Sequence, residues 1–436
     1  MKTRKKPLFF LFELLMIAAC MLMFYPVIMM VLVSLKDEAL LASEPLSLKT
    51  SFAFENYITA AKGMKYWRAL LNSSALTVFS SLITTFFGAC GAYAIMRARR
   101  GKKLFLALNA LFLIGLAILT SITGYLLMPS MAEAVARLAE TGEYRVPLTV
   151  CAGLMVTGLG IKSAMFPFHL WLPDAHGGAT TASSALLSGL VLKGYIVLMM
   201  TLMVRVFSME LMVELGVTNV VLLFGLLGMI FGSLGAMREY HVKRMLAYSS
   251  VAQIGYIFMG IGLGSAAGLT ASCFHILVHA CCKPLLFCCA GRLSAVSGHH
   301  RSLKNLRGSA YRDIAAGIGF TVGSLSMIGI PLFGGFVSKL YFASASLPTN
   351  RTAVTLLTIA LSTVLNALYY IPALLSIWMR PDPADERAVL ADATPEMLAF
   401  DRPFTAAAAV FTASIFILGI FYHPITDIIE AGIRLI

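Results

Sequence analysis

Charged residues are scarce in this 436-residue chain: Lys, Arg, Asp and Glu together make up 13%, whereas 59% of the residues are hydrophobic. A soluble domain of this size needs many more charges on its water-facing surface, so a soluble fold is excluded. In lipid, a helix satisfies its own backbone hydrogen bonds. The sequence therefore predicts an all-α fold, a polytopic transmembrane helical bundle.

Motifs for redox centres and nucleotides are also absent from the sequence. The eight cysteines include no Cys-x-x-Cys pair, and most lie in apolar runs as small packing residues, not as a disulfide framework. We expect no cofactor, no metal and no catalytic residue in this chain. The net charge of +13 comes from basic residues scattered among apolar segments. This pattern indicates loop orientation at a lipid bilayer and argues against a nucleic-acid partner.

Apolar runs long enough to span a membrane recur along the chain. The first two cover Leu8–Leu35 and Leu70–Met96, and the basic residues before the first and after the second predict a cytoplasmic N-terminus. Later spans begin near residues 105, 146, 180, 217, 246, 267, 314, 352 and 404, with an amphipathic stretch at 130–146. The total is about eleven to twelve spans, some of them broken helices. We expect a multi-pass protein of the inner (cytoplasmic) membrane.

Residues 1–104 carry a series of short motifs that differs in character from the rest of the chain. These motifs are Tyr25-Pro26, Ser34-Leu35-Lys36, Phe54-Glu55-Asn56-Tyr57, Leu71-Asn72-Ser73 and Ala92-Tyr93-Ala94. The series resembles the membrane permease subunit of sugar-importing ABC transporters. That family couples to its ATPase through a cytoplasmic Glu-Ala-Ala…Gly loop, which this sequence lacks. We expect a permease-like segment of two spans at 1–104, fused to a different membrane domain at 105–436.

Two lysines lie in otherwise apolar segments, on either side of a Pro/Gly-rich break. Lys162 precedes the break at 167–176, and Lys193 lies within the next apolar run. A lysine in hydrocarbon is energetically costly and marks a functional site by default. Desolvation also makes reversible protonation of a lysine near neutral pH accessible. The pattern therefore indicates a charge pathway at membrane depth.

Several motifs occur in an order that is found in a known family. They are Lys162-Ser163-Ala164 with Pro167-Phe168-His169 and Trp171-Leu172-Pro173-Asp174-Ala175-His176; Leu190-Val191-Leu192-Lys193; Val242-Lys243-Arg244 to Ile254-Gly255; His275, His279 and Lys283-Pro284; and Gly329-Ile330-Pro331 with Gly334-Gly335-Phe336-Val337-Ser338-Lys339. From about residue 105 to 422, the chain resembles the antiporter-like proton-translocating membrane subunits of respiratory complex I, Mrp-type sodium/proton antiporters and membrane-bound hydrogenases.

The resemblance implies proton translocation, with sodium/proton exchange as an open alternative. It implies that the partners are other membrane subunits of an NADH:quinone oxidoreductase, Mrp or hydrogenase-type complex, in which this chain holds no redox centre of its own. The relay residues that it implies are Lys162, Lys193, Lys243, His275, His279, Lys283 and Lys339. The residues assigned to the helix breaks and their support are Pro167, His169, Pro173, Asp174, His176 and Pro331.

Simpler roles stay open for some of these residues. Lys162 is also compatible with snorkelling to a helix end, and Lys243 with a positive-inside anchor beside Arg244. Asp174 and His176 fit local capping of the broken helix better than proton transfer. His275, His279 and Lys283 lie on one helix face, and Cys282 beside them lacks the further ligand pair that a zinc site needs.

The sequence departs from the family where the first relay lysine needs a partner. The resemblance implies a glutamate in an early span, near Ser80, but no acidic residue stands between Thr59 and Thr120, and Glu13 lies in an unrelated context. The family also usually has an acidic residue where His241 stands. A nearby carboxylate favours the charged lysine, so we expect Lys162 to be uncoupled. A transport-inactive structural subunit and a carbohydrate ABC permease remain alternatives, although a permease has no use for buried lysines.

Overall fold

A computed structural model describes residues 102–434, except residue 143 and most of 381–398, together with scattered positions between residues 32 and 58. The chain divides into two units, Met1–Phe86 and Phe87–Ile436. In the first unit, the buried Lys36 ammonium donates to the carbonyl oxygens of Glu44 and Ser47, at 2.6 and 2.8 Å. The predicted spans at 8–35 and 70–96 lie almost wholly outside the described residues.

The second unit is a bundle of helices, and its described part contains no β-strand. Its helices are α1 (Lys102–Thr123), α2 (Met128–Thr141), α3 (Arg145–Lys162), α4 (Trp171–Gly178), α5 (Thr181–Leu186), α6 (Leu192–Arg205), α7 (Met209–Glu214), α8 (Val217–Met237), α9 (Val242–Gly262), α10 (Ala266–Ala295), α11 (Ser309–Arg312), α12 (Ile314–Ile328), α13 (Gly334–Ser346), α14 (Thr352–Trp378), α15 (Arg402–Ile420) and α16 (Tyr422–Arg434). The all-α prediction is confirmed.

The described part of the chain is a multi-pass membrane bundle. It contains seven candidate spans by length and hydropathy, or up to eight if the bent pair Ala110–Thr123 and Met128–Thr141 is one span. The predicted total of about eleven to twelve spans is larger than this number for two reasons. It included the two runs outside the described part, and it counted α12 and α13 as separate spans. The amphipathic stretch at 130–146 is largely α2, bent by 70° from the preceding helix. Helix α16 lies beyond the predicted spans, because its charged residues interrupt the apolar pattern.

Helices α8 and α9 pack with their backbones almost in contact. A Cβ atom on Gly225 would lie 2.4 Å from the amide nitrogen of Met259, and one on Gly255 would lie 2.6 Å from that of Met229. Small residues allow such close approach in membranes, where van der Waals packing drives helix association. As a result, α9 is the most enclosed candidate span of the described bundle, with 94% of its apolar window buried.

Three irregular places in the described bundle lie close to the buried lysines. The chain between α5 and α6 is a π-helix, Leu187–Val191. Helix α10 contains Pro284, which has no N–H to donate within the helix. Helices α12 and α13 are separated by a break that begins at Gly329, where φ is +96°. A Cβ atom on Gly189 would lie 2.5 Å from the Pro284 ring, so the first two irregularities pack against each other.

We predict that Gly255→Ala destabilises the bundle, because its added methyl group has no space between α8 and α9. Overpacking of this kind costs about 1–3 kcal/mol. Gly194→Ala is the matched control: nothing lies within 4 Å of the added Cβ in α6, and alanine favours helix by about 0.5–1 kcal/mol. Thermal unfolding in detergent measures both variants. Equal shifts in the two midpoints would contradict the packing described for α8 and α9.

Candidate functional site

Four of the predicted relay lysines lie inside the bundle. Lys283 is 0% exposed, Lys193 and Lys243 are each 4% exposed, and Lys339 is 7% exposed. None of the four forms an ion pair with a described residue, and no Asp or Glu is among the buried residues of this part of the chain. Removing an ammonium group from water costs several kcal/mol unless dipoles or charges replace its hydration. The contacts of each lysine therefore show how the bundle accommodates it.

The contact of Lys193 depends on the π-helix. Its ammonium donates to the carbonyl oxygen of Ser188, within the widened turn that precedes it. The hydroxyl of Ser188 lies 2.9 Å from that of Ser250 on α9. Ser250 in turn donates to the Leu246 carbonyl at 3.0 Å. The π-helix thus turns a main-chain acceptor toward Lys193 and connects this acceptor to α9.

The same Leu246 carbonyl accepts from Lys283 of α10, at 3.1 Å. Lys283 also donates to the Ser249 hydroxyl and, at 3.3 Å, to the Tyr370 hydroxyl of α14. Ser249 and Tyr370 lie 3.0 Å apart. Helices α9 and α14 therefore surround the Lys283 ammonium with neutral oxygens. A continuous set of hydrogen bonds links Lys283 to Ser250 and, through Ser188, to Lys193.

The contact of Lys339 depends on the break between α12 and α13. Its ammonium donates to the Ile328 carbonyl at 2.5 Å and to the Thr363 hydroxyl at 3.0 Å, and lies 5.3 Å from the centre of the Tyr256 ring. The last carbonyls of a helix have no partner within it and form the negative end of its dipole. A Cβ atom on Gly329 would lie 3.0 Å from the Lys339 nitrogen. Glycine leaves the space that the ammonium occupies.

His275 and His279 lie on the face of α10 that also carries Lys283, as their spacing predicted. Their ring centres are 6.2 Å apart, and both residues are buried. Nδ1 of His275 lies 2.9 Å from the hydroxyl of Ser338, the residue before Lys339. Neither ring nitrogen of His279 has a hydrogen-bond partner among the described side chains and main chain. The two imidazoles therefore occupy the interval between Lys283 and Lys339.

Lys162 and Lys243 lie outside this hydrogen-bonded set. Lys162 is the last residue of α3 and is only half-buried, with its ammonium near the rings of Phe112 and Tyr195. Lys243 is buried at the start of α9 and donates no hydrogen bond to a described residue. The structure thus links Lys193 and Lys283 through hydrogen bonds, holds Lys339 at a separate helix break, and leaves Lys162 and Lys243 without a hydrogen bond to these groups.

The residues assigned to the first break lie between α3 and α5. Pro167 precedes a 3₁₀ turn at Phe168–Leu170, which contains His169, and Pro173 lies in α4. The Asp174 carboxylate accepts from the Arg244 guanidinium at 2.5 Å, and Arg244 also reaches Glu239 at 3.0 Å. This ion-pair cluster attaches α4 to the start of α9. The second predicted break contains Pro331, between α12 and α13.

His169 and His176 are buried beside aromatic rings. The His169 ring stacks on Phe166 at 5.4 Å, and the His176 ring stacks on Phe287 at 4.5 Å. Burial lowers the pKa of His169 to about 4. Burial, followed by the nearby charges of Lys283, Lys193 and Lys243, lowers the pKa of His176 to about 3. Both imidazoles are therefore neutral at physiological pH.

The neutral side chains that contact the lysines and His275, or connect them, were not predicted from the sequence. These are Ser188, Ser249, Ser250, Tyr256, Ser338, Thr363 and Tyr370. The sequence of α14 does contain a signal for a buried polar face, because polar residues recur at helical spacing within an apolar run. These residues are Thr363, Asn366 and Tyr370. Asn366 is fully buried, and its side-chain oxygen accepts from Ser233 at 3.3 Å and from Tyr369 at 2.7 Å. Among the described residues, no three His, Cys, Asp or Glu side chains group as metal ligands.

Comparisons with known proteins agree on one family. A family model described as NADH:quinone oxidoreductase/Mrp antiporter, TM, matches residues 101–366. The chain is 30% identical over 324 residues to NADH-quinone oxidoreductase subunit N of Salinibacter ruber, covering 72% of this chain and 62% of that protein. It is 32% identical over 232 residues to a Na(+)/H(+) antiporter subunit of Alkalihalophilus pseudofirmus, covering 53% and 45%. The chain thus spans less than two thirds of these curated relatives.

Solved structures share the helical fold. A chain of the Mrp complex from Dietzia sp. aligns with a TM-score of 0.64 at 24% identity, over 76% of this chain and 67% of that one. A chain of respiratory complex I from Thermus thermophilus aligns with a TM-score of 0.53 at 26% identity, over 73% of this chain and 66% of that one. A membrane-bound sulfane sulfur reductase, described as an archaeal respiratory membrane complex, gives 0.64 at 24% identity, over 80% and 70%.

We predict that His176→Phe makes the protein less sensitive to acid. The folded-state pKa of His176 is about 3, below its ordinary value of 6.5, so the unfolded chain binds the proton more readily. Stability is then fully present above about pH 6.5 and falls as the pH decreases toward 3. Between pH 7 and 5, this one group accounts for a loss of about 2 kcal/mol.

The measurement is the decrease in thermal midpoint from pH 7 to pH 5. Phenylalanine keeps a ring against Phe287 but does not titrate, so we expect a smaller decrease in His176→Phe than in the wild type. His299 is exposed in the loop after α10, and His299→Asn is the control. If His176→Phe and the wild type lose the same amount, His176 is not a buried neutral group.

Proposed function

The chain belongs to the NADH:quinone oxidoreductase/Mrp antiporter family of membrane subunits, and we propose that it moves protons across the membrane through a relay of buried lysines and histidines. The observation that carries this proposal is the environment that Lys193, Lys283 and Lys339 have in common. Each ammonium is buried, each donates to a main-chain carbonyl, and none is neutralised by a described carboxylate. A lysine at membrane depth without a neutralising carboxylate is costly to the fold and marks a functional site by default.

The contacts support a path with a definite order. Ser188 and Ser250 connect Lys193 to the Leu246 carbonyl, which Lys283 shares. Beyond Lys283, His279 and His275 follow at one-turn intervals along α10. His275 contacts Ser338, which is adjacent to Lys339. An imidazole can accept a proton at one nitrogen and release one from the other, which suits a position between two amines.

Electrostatic repulsion provides the physical reason for directional transfer. Two ammonium groups in a medium of low dielectric constant repel each other strongly, so a proton that arrives on one lysine weakens the hold of its neighbour. Interacting sites of this kind exchange protons as a coupled set. We propose Lys243, buried where α9 meets the loop before it, as a further member of the set. The sodium alternative is tested separately, by applying a sodium gradient.

We also propose that the chain works beside other membrane subunits of a complex I, Mrp or hydrogenase-type assembly. Exposed apolar side chains support this. On α14 they include Leu357, Val364 and Leu375, which are 71%, 58% and 55% exposed. Such a face suits lipid or a neighbouring apolar helix. The permease-like origin of residues 1–104 stays a prediction; the family match starts at residue 101, close to the boundary expected at 105.

The positions of basic residues support an orientation in the inner (cytoplasmic) membrane. The loops after α8 and α10 meet α4 on one side of the bundle, where Arg244 binds Asp174 and Arg301 reaches the Gly177 carbonyl. Basic residues on this side include Arg238, Arg301, Lys304, Arg307, Arg312 and Arg380. The opposite side carries Arg137, Arg145, Arg205, Arg351 and Arg434. By the positive-inside rule we assign the first side to the cytoplasm, in agreement with the expected cytoplasmic N-terminus.

Replacing one relay lysine tests the function. Lys193→Ala removes the titratable group next to the π-helix, so we expect proton flux into liposomes under an imposed membrane potential to fall by at least roughly tenfold, as when a proton-transfer group is lost. Lys304→Ala is the control, because Lys304 is exposed in the short 3₁₀ turn Leu303–Leu306. Unchanged flux in Lys193→Ala would remove Lys193 from the relay. A wild type that carries no protons would indicate a transport-inactive structural subunit.

A pair of reporter fusions tests the orientation. Green fluorescent protein fused after His299 is expected to fluoresce, since this loop lies on the side assigned to the cytoplasm. The same reporter fused after Pro348, in the loop before α14, is expected to stay dark, whereas alkaline phosphatase at that position is expected to be active. The reverse pattern at both positions would invert the assigned topology.

A further inference from the structure

The start of α9 contains a buried cation that no described carboxylate neutralises. Lys243 is 4% exposed and donates no hydrogen bond to a described residue. It forms no ion pair with one either, whereas its neighbour Arg244 binds Asp174 at 2.5 Å and Glu239 at 3.0 Å. Burial of an unpaired ammonium group is costly. Lys243 thus lacks the kind of negative partner that the adjacent arginine has.

Main-chain pairing places Arg301 beside this lysine. An isolated antiparallel bridge joins His241 to Ser302, and the Val242 N–H donates to the Arg301 carbonyl at 3.0 Å. The Arg301 guanidinium reaches the Gly177 carbonyl at 3.4 Å and forms no ion pair with a described residue. The loop after α10 therefore brings a second cation without a described carboxylate to the start of α9.

His241 belongs to the same cluster of side chains. Burial, followed by the charges of Arg301, Lys243 and Arg244, lowers its pKa. Its Nδ1 is buried and has no hydrogen-bond partner in the described part of the chain. The groups within electrostatic reach of the Lys243 ammonium include Arg301 and the Cys288 thiol. His241, Lys243 and Arg301 therefore lie close together, and the positive charges among them oppose one another.

Helix α9 adds main-chain donors to this cluster. The first N–H groups of a helix have no partner within it and form the positive end of its dipole. The side chain of His241 does not cap this 21-residue helix, and the N–H groups of Lys243 and Arg244 donate to no described acceptor. Gly178 is exposed nearby, and a Cβ atom on it would meet nothing within 4 Å, so solvent ions have access to this side. Side chains and helix end together suit an anion.

We propose that the start of α9 binds a small inorganic anion of the halide class. The Lys243 ammonium, the Arg301 guanidinium and the first N–H groups of α9 hold it, and the His241 ring lies beside it. The anion supplies the negative charge that no described carboxylate provides there, and so favours the charged form of Lys243. The site is separate from the contacts of Lys193, Lys283 and Lys339, and it does not depend on the proposed proton translocation.

Chloride binding to the full chain in detergent tests this site directly, through broadening of the chloride-35 magnetic resonance. His241→Asp places a carboxylate in the cluster, so we expect the chloride affinity to fall at least roughly tenfold through like-charge repulsion. Arg301→Gln removes one ligand and is expected to weaken binding severalfold. Arg238→Gln is the control, because Arg238 is exposed in the loop before α9. Equal broadening in all variants would show only general attraction to basic residues and would refute the site.

Thermal unfolding provides a second measurement, in sodium chloride and in sodium gluconate at equal ionic strength. Gluconate is too large for the cluster, so we expect the wild type to unfold at least about 2 °C higher in chloride. His241→Asp is expected to have the same midpoint in both salts, and in gluconate a midpoint no lower than the wild type, which shows that the variant is folded. A wild type with equal midpoints in the two salts would overturn the proposal.

Discussion

Burial of ammonium groups without buried carboxylates is the constraint on which the bundle depends. The described interior holds Lys193, Lys243, Lys283 and Lys339, but no Asp or Glu. Main-chain carbonyls and neutral hydroxyls replace water around three of these lysines. Most carbonyls of a regular helix are used within it, so further acceptors become available where the helix is irregular or ends. The π-helix before Lys193 and the break before Lys339 each provide such a place.

Helix α9 holds the arrangement together. Its glycine-mediated contact with α8 brings the two backbones close enough to enclose its whole length. Because other helices enclose α9, it can contain polar groups that would be energetically costly in contact with lipid. The Leu246 carbonyl receives Lys283 at 3.1 Å, Ser249 at 2.8 Å and Ser250 at 3.0 Å, so one main-chain oxygen joins α5–α6, α9 and α10. Close packing and the polar path are therefore consequences of the same helix pair.

The surroundings of a buried lysine decide whether its charged or its neutral form is the more stable. A lysine enclosed by neutral oxygens in the middle of the bundle balances desolvation against a few hydrogen bonds, so its proton can leave. Lys162, half-buried at the end of α3, instead lies beside the rings of Phe112 and Tyr195 and donates to no described main-chain carbonyl. Sequence proximity to a helix break does not distinguish the two cases. Lys162 and Lys193 flank the same Pro/Gly-rich segment and nevertheless have different environments.

Periodicity and composition by themselves determined the all-α membrane fold, most helix bounds and the shared face of His275, His279 and Lys283, because hydropathy and i, i+4 spacing are local properties. The break at Gly329 was also visible locally, since glycine and proline mark it. Tertiary structure decided what local patterns do not contain. The π-helix at Leu187–Val191, its contact with Pro284, and the partners Ser249, Tyr370 and Thr363 arise only when separate helices pack. Which lysines share a network depends on carbonyls contributed by other helices, and no residue spacing within one segment encodes those distances.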